Sequence, residues 1–239
     1  MSRLGALHLT KHTGPKHTGS VIFFHGSGSS GADMKEWVKL MVQNFSFPHL
    51  NVLYPTAPLQ PYTPAGGQMS NVWFDRADIN PDVPEKIDSL ANIELEVRNL
   101  IKMEHDKGIP SNRIVIGGFS MGGSLSYHTA YRWDQNLAGT FVFSSFLNRN
   151  SVVYNELKYA SGTRLMTSTV TTHKVPPLLQ IHGDSDDLVD INWGHESYTQ
   201  LKNLGVQGEI HIMEKLGHSI NKRGMNLIKN WIEQRLPEI

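Results

Sequence analysis

The pentapeptide Gly118-Phe119-Ser120-Met121-Gly122 sits where the apolar run 113–116 gives way to a helical pattern over 124–131. A serine hydroxyl is a poor nucleophile at neutral pH. It needs a neighbouring base that is itself oriented by a third group. A sharp turn from strand to helix lifts the hydroxyl clear of the backbone, and its crowding favours glycine on both sides. The same turn sets Ser120 at a helix N-terminus, where backbone N–H groups face negative charge developing on a substrate oxygen. Ser120 is the candidate nucleophile of an acyl-transfer reaction.

The base should follow the serine and an acidic residue in chain order. His195 lies inside a helical pattern and His211 inside a strand pattern; His182 sits near a strand end but precedes the acidic cluster, and His173 lies in the irregular stretch before that strand. His218, in "LGHSI", falls on a loop between the last strand and the last helix, where a general base is needed. The orienting acid should follow the preceding strand, and "HGDSDDLVD" offers Asp184, Asp186, Asp187 and Asp190. Spacing alone leaves that choice open. The cluster lacks the glycine and glutamate of a calcium loop, and the members that do not orient the histidine are turn or capping residues. A second oxyanion donor should come from a glycine-rich loop after an earlier strand. "FFHGSGSSG" (23–31) is such a loop, and it lacks the Gly-Lys-Ser/Thr ending of a nucleotide-binding P-loop.

These groups need elements to hold them. Continuous apolar runs at 20–26, 51–58, 113–120, 139–146, 176–184 and 208–215 read as strands covered on both faces. A shorter run at 6–10 is expected to form an antiparallel hairpin with the first of them. Apolar residues Ile87, Leu90, Ile93, Val97, Leu100 and Ile101 recur at helical spacing, with Gly108 as a stop, and 191–205 and 220–236 read as further helices. Strands alternating with helices predict a mostly parallel sheet with helices on both faces, its chemistry at the carboxyl ends of the strands. The Pro-, Gly- and Asn-rich insert 55–84 reads as a loop crossing near the site, and 159–174 as a second irregular stretch of unassigned role. No linker marks a boundary, so one domain over 1–239 is expected.

Composition narrows the function. Lysine plus arginine and aspartate plus glutamate both number 22, and the basic residues are scattered, which gives no footprint for nucleic acid. There is no cysteine, which excludes disulfides, cysteine-based zinc sites and a thiol nucleophile. No stretch has the length and apolarity of a membrane span or the h-region of a signal peptide, so a soluble cytoplasmic protein is expected.

The ordered motifs "VIFFHGSGSSG", "YPTAP", "SNVWFDR", "GGFSMGG", "SSFLN", "HGDSDDLV" and "LGHSI" cover nearly the whole chain. Together they resemble the acyl-protein thioesterase and lysophospholipase family of α/β-hydrolases, most closely its lysophospholipase-like branch. The resemblance implies an α/β-hydrolase fold and a serine hydrolase of carboxylic esters or thioesters that needs no metal or organic cofactor. By position it implies Ser120 as nucleophile, Asp186 as orienting acid and His218 as base. It also implies the backbone N–H groups of Ser27 and Met121 as the oxyanion hole, and Trp73, Phe146 and Leu188 as substrate-binding wall. Ser27 stands where thioesterases usually carry leucine, and "SSFLN" where they carry a Ser-Gly-Trp-Leu-Pro type segment. Those departures predict a shallower pocket and short acyl chains. The competing expectations are a long-chain acyl-protein thioesterase or lysophospholipase, a peptidase, and a non-catalytic binding protein on a hydrolase scaffold. The expected partners are a small ester or an acylated protein or lipid, with the chain a monomer or weak homo-oligomer.

Overall fold

Every one of the six long apolar runs becomes a strand of a single sheet in the computed structural model, which describes residues 4–166 and 175–239. The strands are β1 (Leu7–Thr10), β2 (Gly19–Phe24), β3 (Leu50–Pro55), β4 (Leu59–Tyr62), β5 (Gln68–Asn71), β6 (Ile114–Phe119), β7 (Gly139–Phe143), β8 (Leu178–Gly183) and β9 (Gly208–Met213). The large sheet has the order β1-β3-β2-β6-β7-β8-β9. All neighbours in it are parallel except β1, which runs antiparallel to β3.

The expected hairpin of 6–10 with 20–26 is therefore corrected. Both edges of β2 are taken, by β3 and by β6. The first strand instead closes the outer edge of β3, with Leu7 opposite Pro55 and Thr10 opposite Val52. The insert after β3 is also more regular than a loop. It folds into a second, two-stranded sheet of β4 and β5, turned at Gly66 and Gly67, both at positive φ that glycine adopts without strain.

The helices are α1 (Gly31–Met41), α2 (Ile87–His105), α3 (Met121–His128), α4 (Val152–Met166), α5 (Ile191–Asn203) and α6 (Lys222–Arg235). The stripe read for 85–108 packs as expected through Leu90, Ile93, Val97, Leu100 and Ile101, whereas Ile87 is exposed at the helix start. Two helices were not expected. α1 begins at an Ser30 cap whose hydroxyl accepts the Asp33 N–H at 3.1 Å. α4 occupies the first half of the stretch read as irregular; residues 167–174, with His173, lie outside the described residues.

Side chains alternate across the sheet. Val21 and Phe23 join Met34 and Val38 of α1 and Met225, Ile228 and Ile232 of α6 on one face. Ile22 and Phe24 join Leu90 and Val97 of α2, Leu125 of α3 and Leu201 of α5 on the other. Each fully buried side chain of this kind contributes roughly 1.5–3 kcal/mol, which makes the strand ends a rigid platform for loops. No helix among the described residues is long and apolar enough to cross a membrane.

Candidate active site

The glycines around Ser120 are required by close approach of backbone. A Cβ on Gly118 would lie 2.3 Å from the Gly122 carbonyl carbon, and one on Gly122 would lie 2.3 Å from the Phe24 carbonyl oxygen. The elbow is thus folded tightly on itself and pressed against the end of β2. Ser120 takes φ 53°, an unfavourable region for a residue with a side chain, and is fixed there by its N–H donating to Phe143 O at 2.9 Å. It precedes α3, whose first residue is Met121. The first N–H groups of a helix have no acceptor inside it, so they are available to a bound oxyanion.

His218 Nε2 lies 3.0 Å from Ser120 Oγ, and its Nδ1 lies 2.9 and 3.1 Å from the two oxygens of Asp186. The residues come from the carboxyl ends of β6, β8 and β9, where a parallel sheet gathers its chemistry. Burial works against a charged Asp186. The His218 hydrogen bond and the backbone N–H groups of Val189 and Leu188 outweigh it and hold the carboxyl below its usual pKa. His182 backs this carboxylate from 3.5 Å while its Nε2–H donates to Val189 O at 2.8 Å; burial keeps it neutral.

The other aspartates of the cluster have separate employment. Asp184 accepts the Lys215 N–H at 2.7 Å, Asp190 caps α5 through the Asn192 N–H at 2.7 Å, and Asp187 is exposed.

The loop after β2 is clamped from behind. His25 is buried, with Nδ1 2.6 Å from Gly26 O and Nε2 accepting the Ala57 N–H at 3.0 Å. That pattern needs the neutral imidazole with its proton on Nδ1, and burial lowers the His25 pKa to about 4. Trp73 donates its indole N–H to His25 O at 2.7 Å, and Gly28 N–H donates to Asn71 O at 2.9 Å. Ser27 sits exposed between these anchors, facing the same space as Met121.

That space is a cavity of about 190 Å³, below the ~300–1,000 Å³ common for pockets that enclose drug-sized ligands. Ser27, Ser120, Met121, Phe146, Leu188 and His218 all line it. Phe146 is buried against Trp193, ring centroids 5.2 Å apart, and Leu188 stands 45% exposed beside it. Trp73 departs from expectation. It is 1% exposed, does not line the cavity, and packs edge-on against Phe24 at 4.9 Å, so it braces the glycine-rich loop after β2 from behind and forms no part of the cavity wall. The sequence set His182 aside as a base and did not single out His25, Tyr62 or Arg76, of which the last two line the cavity. His25 could have been found, since it directly precedes the glycine-rich loop.

The sheet order, the strained serine elbow and the serine–histidine–aspartate hydrogen-bond chain define an α/β-hydrolase architecture. The profile of the Phospholipase/Carboxylesterase family matches residues 9–236, and the chain belongs to that family. It is 44% identical to lysophospholipase-like protein 1 of Mus musculus, over 93% of this chain and 89% of that one. It is 33% identical to acyl-protein thioesterase 1 homolog 1 of Dictyostelium discoideum, over 93% and 92%. Among solved structures, Arabidopsis thaliana SOBER1 superposes with a TM-score of 0.76 at 25% identity, covering 93% of this chain and all of that one. Zea mays acyl-protein thioesterase 2 superposes at 0.80 with 24% identity, covering 97% and 99%, which attests the shared fold.

Proposed function

We propose that this chain hydrolyses short-chain carboxylic esters or thioesters through an acyl-enzyme. Ser120 attacks the acyl carbonyl while His218 Nε2 takes its proton. Asp186 holds the imidazole in the tautomer that leaves Nε2 free to accept and stabilises the imidazolium that forms. The N–H groups of Met121 and Ser27 receive the oxyanion; each such donor contributes about 3–4 kcal/mol to the transition state in comparable sites. His218 then protonates the leaving alcohol or thiol and activates water for deacylation. The observation that carries this reading is the continuous hydrogen-bond path from Ser120 Oγ through His218 to Asp186 at the edge of a cavity.

The small cavity favours a short acyl group. The names of the relatives in Mus musculus and Dictyostelium discoideum support the second reading, an acyl-protein thioesterase or lysophospholipase acting on longer chains. A p-nitrophenyl ester series from acetyl to palmitoyl, run on wild type and Ser120→Ala, separates them. Turnover peaking at short chains and lost in the variant supports the proposal. A palmitoyl optimum selects the second reading. Equal turnover by the variant refutes the serine assignment.

A further inference from the structure

Arg76, at the wall of the cavity that holds Ser120, is a cation with no ion-pair partner among the described residues. Its Nε is buried and meets no hydrogen-bond acceptor, and no carboxylate among the described residues lies within ion-pair distance of it. The two carboxylates whose charge reaches it, Glu85 and Asp75, are bound by other groups. Asp75 is bound by Lys86 at 2.5 Å and by the Thr63 N–H at 2.8 Å. Glu85 faces His128 at 3.2 Å and accepts the Val152 N–H at 3.0 Å. The guanidinium carbon stands 5.1 Å from the Phe74 ring centroid and 5.7 Å from that of Phe146. Aromatic rings satisfy a guanidinium through its faces and leave its in-plane N–H donors to an external acceptor.

Tyr62, carried on β4, lines the same cavity, and its buried hydroxyl likewise has no partner. Two unpaired buried donors of this kind are costly unless something else completes them. A guanidinium edge beside a phenol matches the planar oxygens of a carboxylate or phosphate.

We propose that Arg76 and Tyr62 form an anion subsite, so that the preferred substrate carries a negative group a few bonds from the scissile carbonyl. The anion is either a carboxylate ending a short acyl chain or a phosphate on the leaving group. The cavity volume confines either one to a short tether. This rests on the reading of Ser120 as nucleophile and names the substrate class for it.

The test compares kcat/KM by proton release for matched pairs. Monoethyl glutarate against ethyl valerate places the charge on the acyl side. Butyrylglycerol phosphate against butyrylglycerol places it on the leaving group. In one arm the wild type should favour the charged ester about 10- to 100-fold, the range for charge-assisted hydrogen bonds. Arg76→Gln should bring that ratio close to unity, Arg76→Lys should leave it intermediate, and Tyr62→Phe should reduce it several-fold. A wild-type ratio at or below unity in both arms overturns the proposal, and so does a ratio unchanged in Arg76→Gln. Inhibition of wild-type ethyl valerate hydrolysis supplies a check that needs no variant. Glutarate or glycerol phosphate should compete at least tenfold better than valeramide, and equal potency overturns the subsite. Ser120→Ala is run throughout. Its retention of turnover would refute the nucleophile reading, whereas a dead Ser120→Ala beside a flat charge ratio refutes the anion subsite alone.

Discussion

Replacing Trp73 by phenylalanine separates its two roles, because phenylalanine keeps most of the contact with Phe24 and loses the N–H that holds His25 O. The acceptor left behind belongs to a residue with no exposed surface. An unsatisfied buried acceptor costs about 1–3 kcal/mol, and the smaller ring adds a cavity cost of about 1 kcal/mol. The variant should lose about 2–4 kcal/mol in urea unfolding. The freed carbonyl sits two residues before Ser27, so the oxyanion loop should lose its register. Loss of a whole oxyanion donor costs about 10²–10³ in kcat. Partial displacement should lower kcat by about 10- to 100-fold with KM nearly unchanged, since the donor acts in the transition state. Steady-state kinetics on a butyryl ester, with stability measured on the same preparation, decide the matter. A kcat within about twofold of wild type beside the expected stability loss would show that Trp73 only packs, and the bracing argument would fail.

Gly122→Ala drives a Cβ against the Phe24 and His25 carbonyls and should destabilise by about 3 kcal/mol or more; Gly66→Ala, left-handed but in open space, should cost only about 1–2 kcal/mol. Urea midpoints that reverse that order would contradict the packing account of the elbow. His25 is held neutral, so its protonation in the unfolded chain favours unfolding as pH falls from about 6.5 towards about 4. Stability should fall by roughly 3 kcal/mol across that window, with His17 and His182, lowered by burial, adding the same sign. A flat urea midpoint over that range would contradict the buried neutral tautomer. Asp186 acts in the same direction at lower pH: its depressed carboxyl contributes stability above about pH 4 that is lost as pH drops through its folded pKa. Asp186→Asn should remove that acid slope and lower kcat by about 10⁴-fold, the loss this exchange causes in other Ser-His-Asp sites through the wrong histidine tautomer. A loss under about tenfold would remove Asp186 from the orienting role.

The parallel strands were legible because a strand buried on both faces has nowhere to put a polar residue, and 20–26 and 113–120 read as near-continuous apolar runs. The elbow was legible because backbone crowding leaves a glycine signature on both sides of Ser120. Pairing partners were less so. Nothing in 6–10 reveals that both edges of β2 are already filled, and the short strand went to β3. α4 escaped because its residues show no apolar stripe, only isolated anchors such as Val153 and Leu157. Chain order and loop position pointed to His218 from sequence, while choosing Asp186 among four aspartates took the family resemblance. In the fold the separation is plain, since Asp184 and Asp190 are tied to backbone N–H groups elsewhere. Trp73 was read as substrate wall because a sequence motif does not say which side of a loop a ring occupies. Arg76 and Tyr62 were invisible for a related reason: a charge in a loop reads as solvated until the fold buries its edge in a cavity.

The central claim is that Ser120 becomes acylated. Mixing the protein with a p-nitrophenyl butyrate ester, quenching in acid and mapping peptides by mass spectrometry tests it directly. The account predicts a butyryl adduct on the peptide that contains Ser120, absent in Ser120→Ala and formed far more slowly when His218, the base for the attack, is replaced. Turnover with the adduct on another residue, or an adduct that persists in Ser120→Ala, would contradict it.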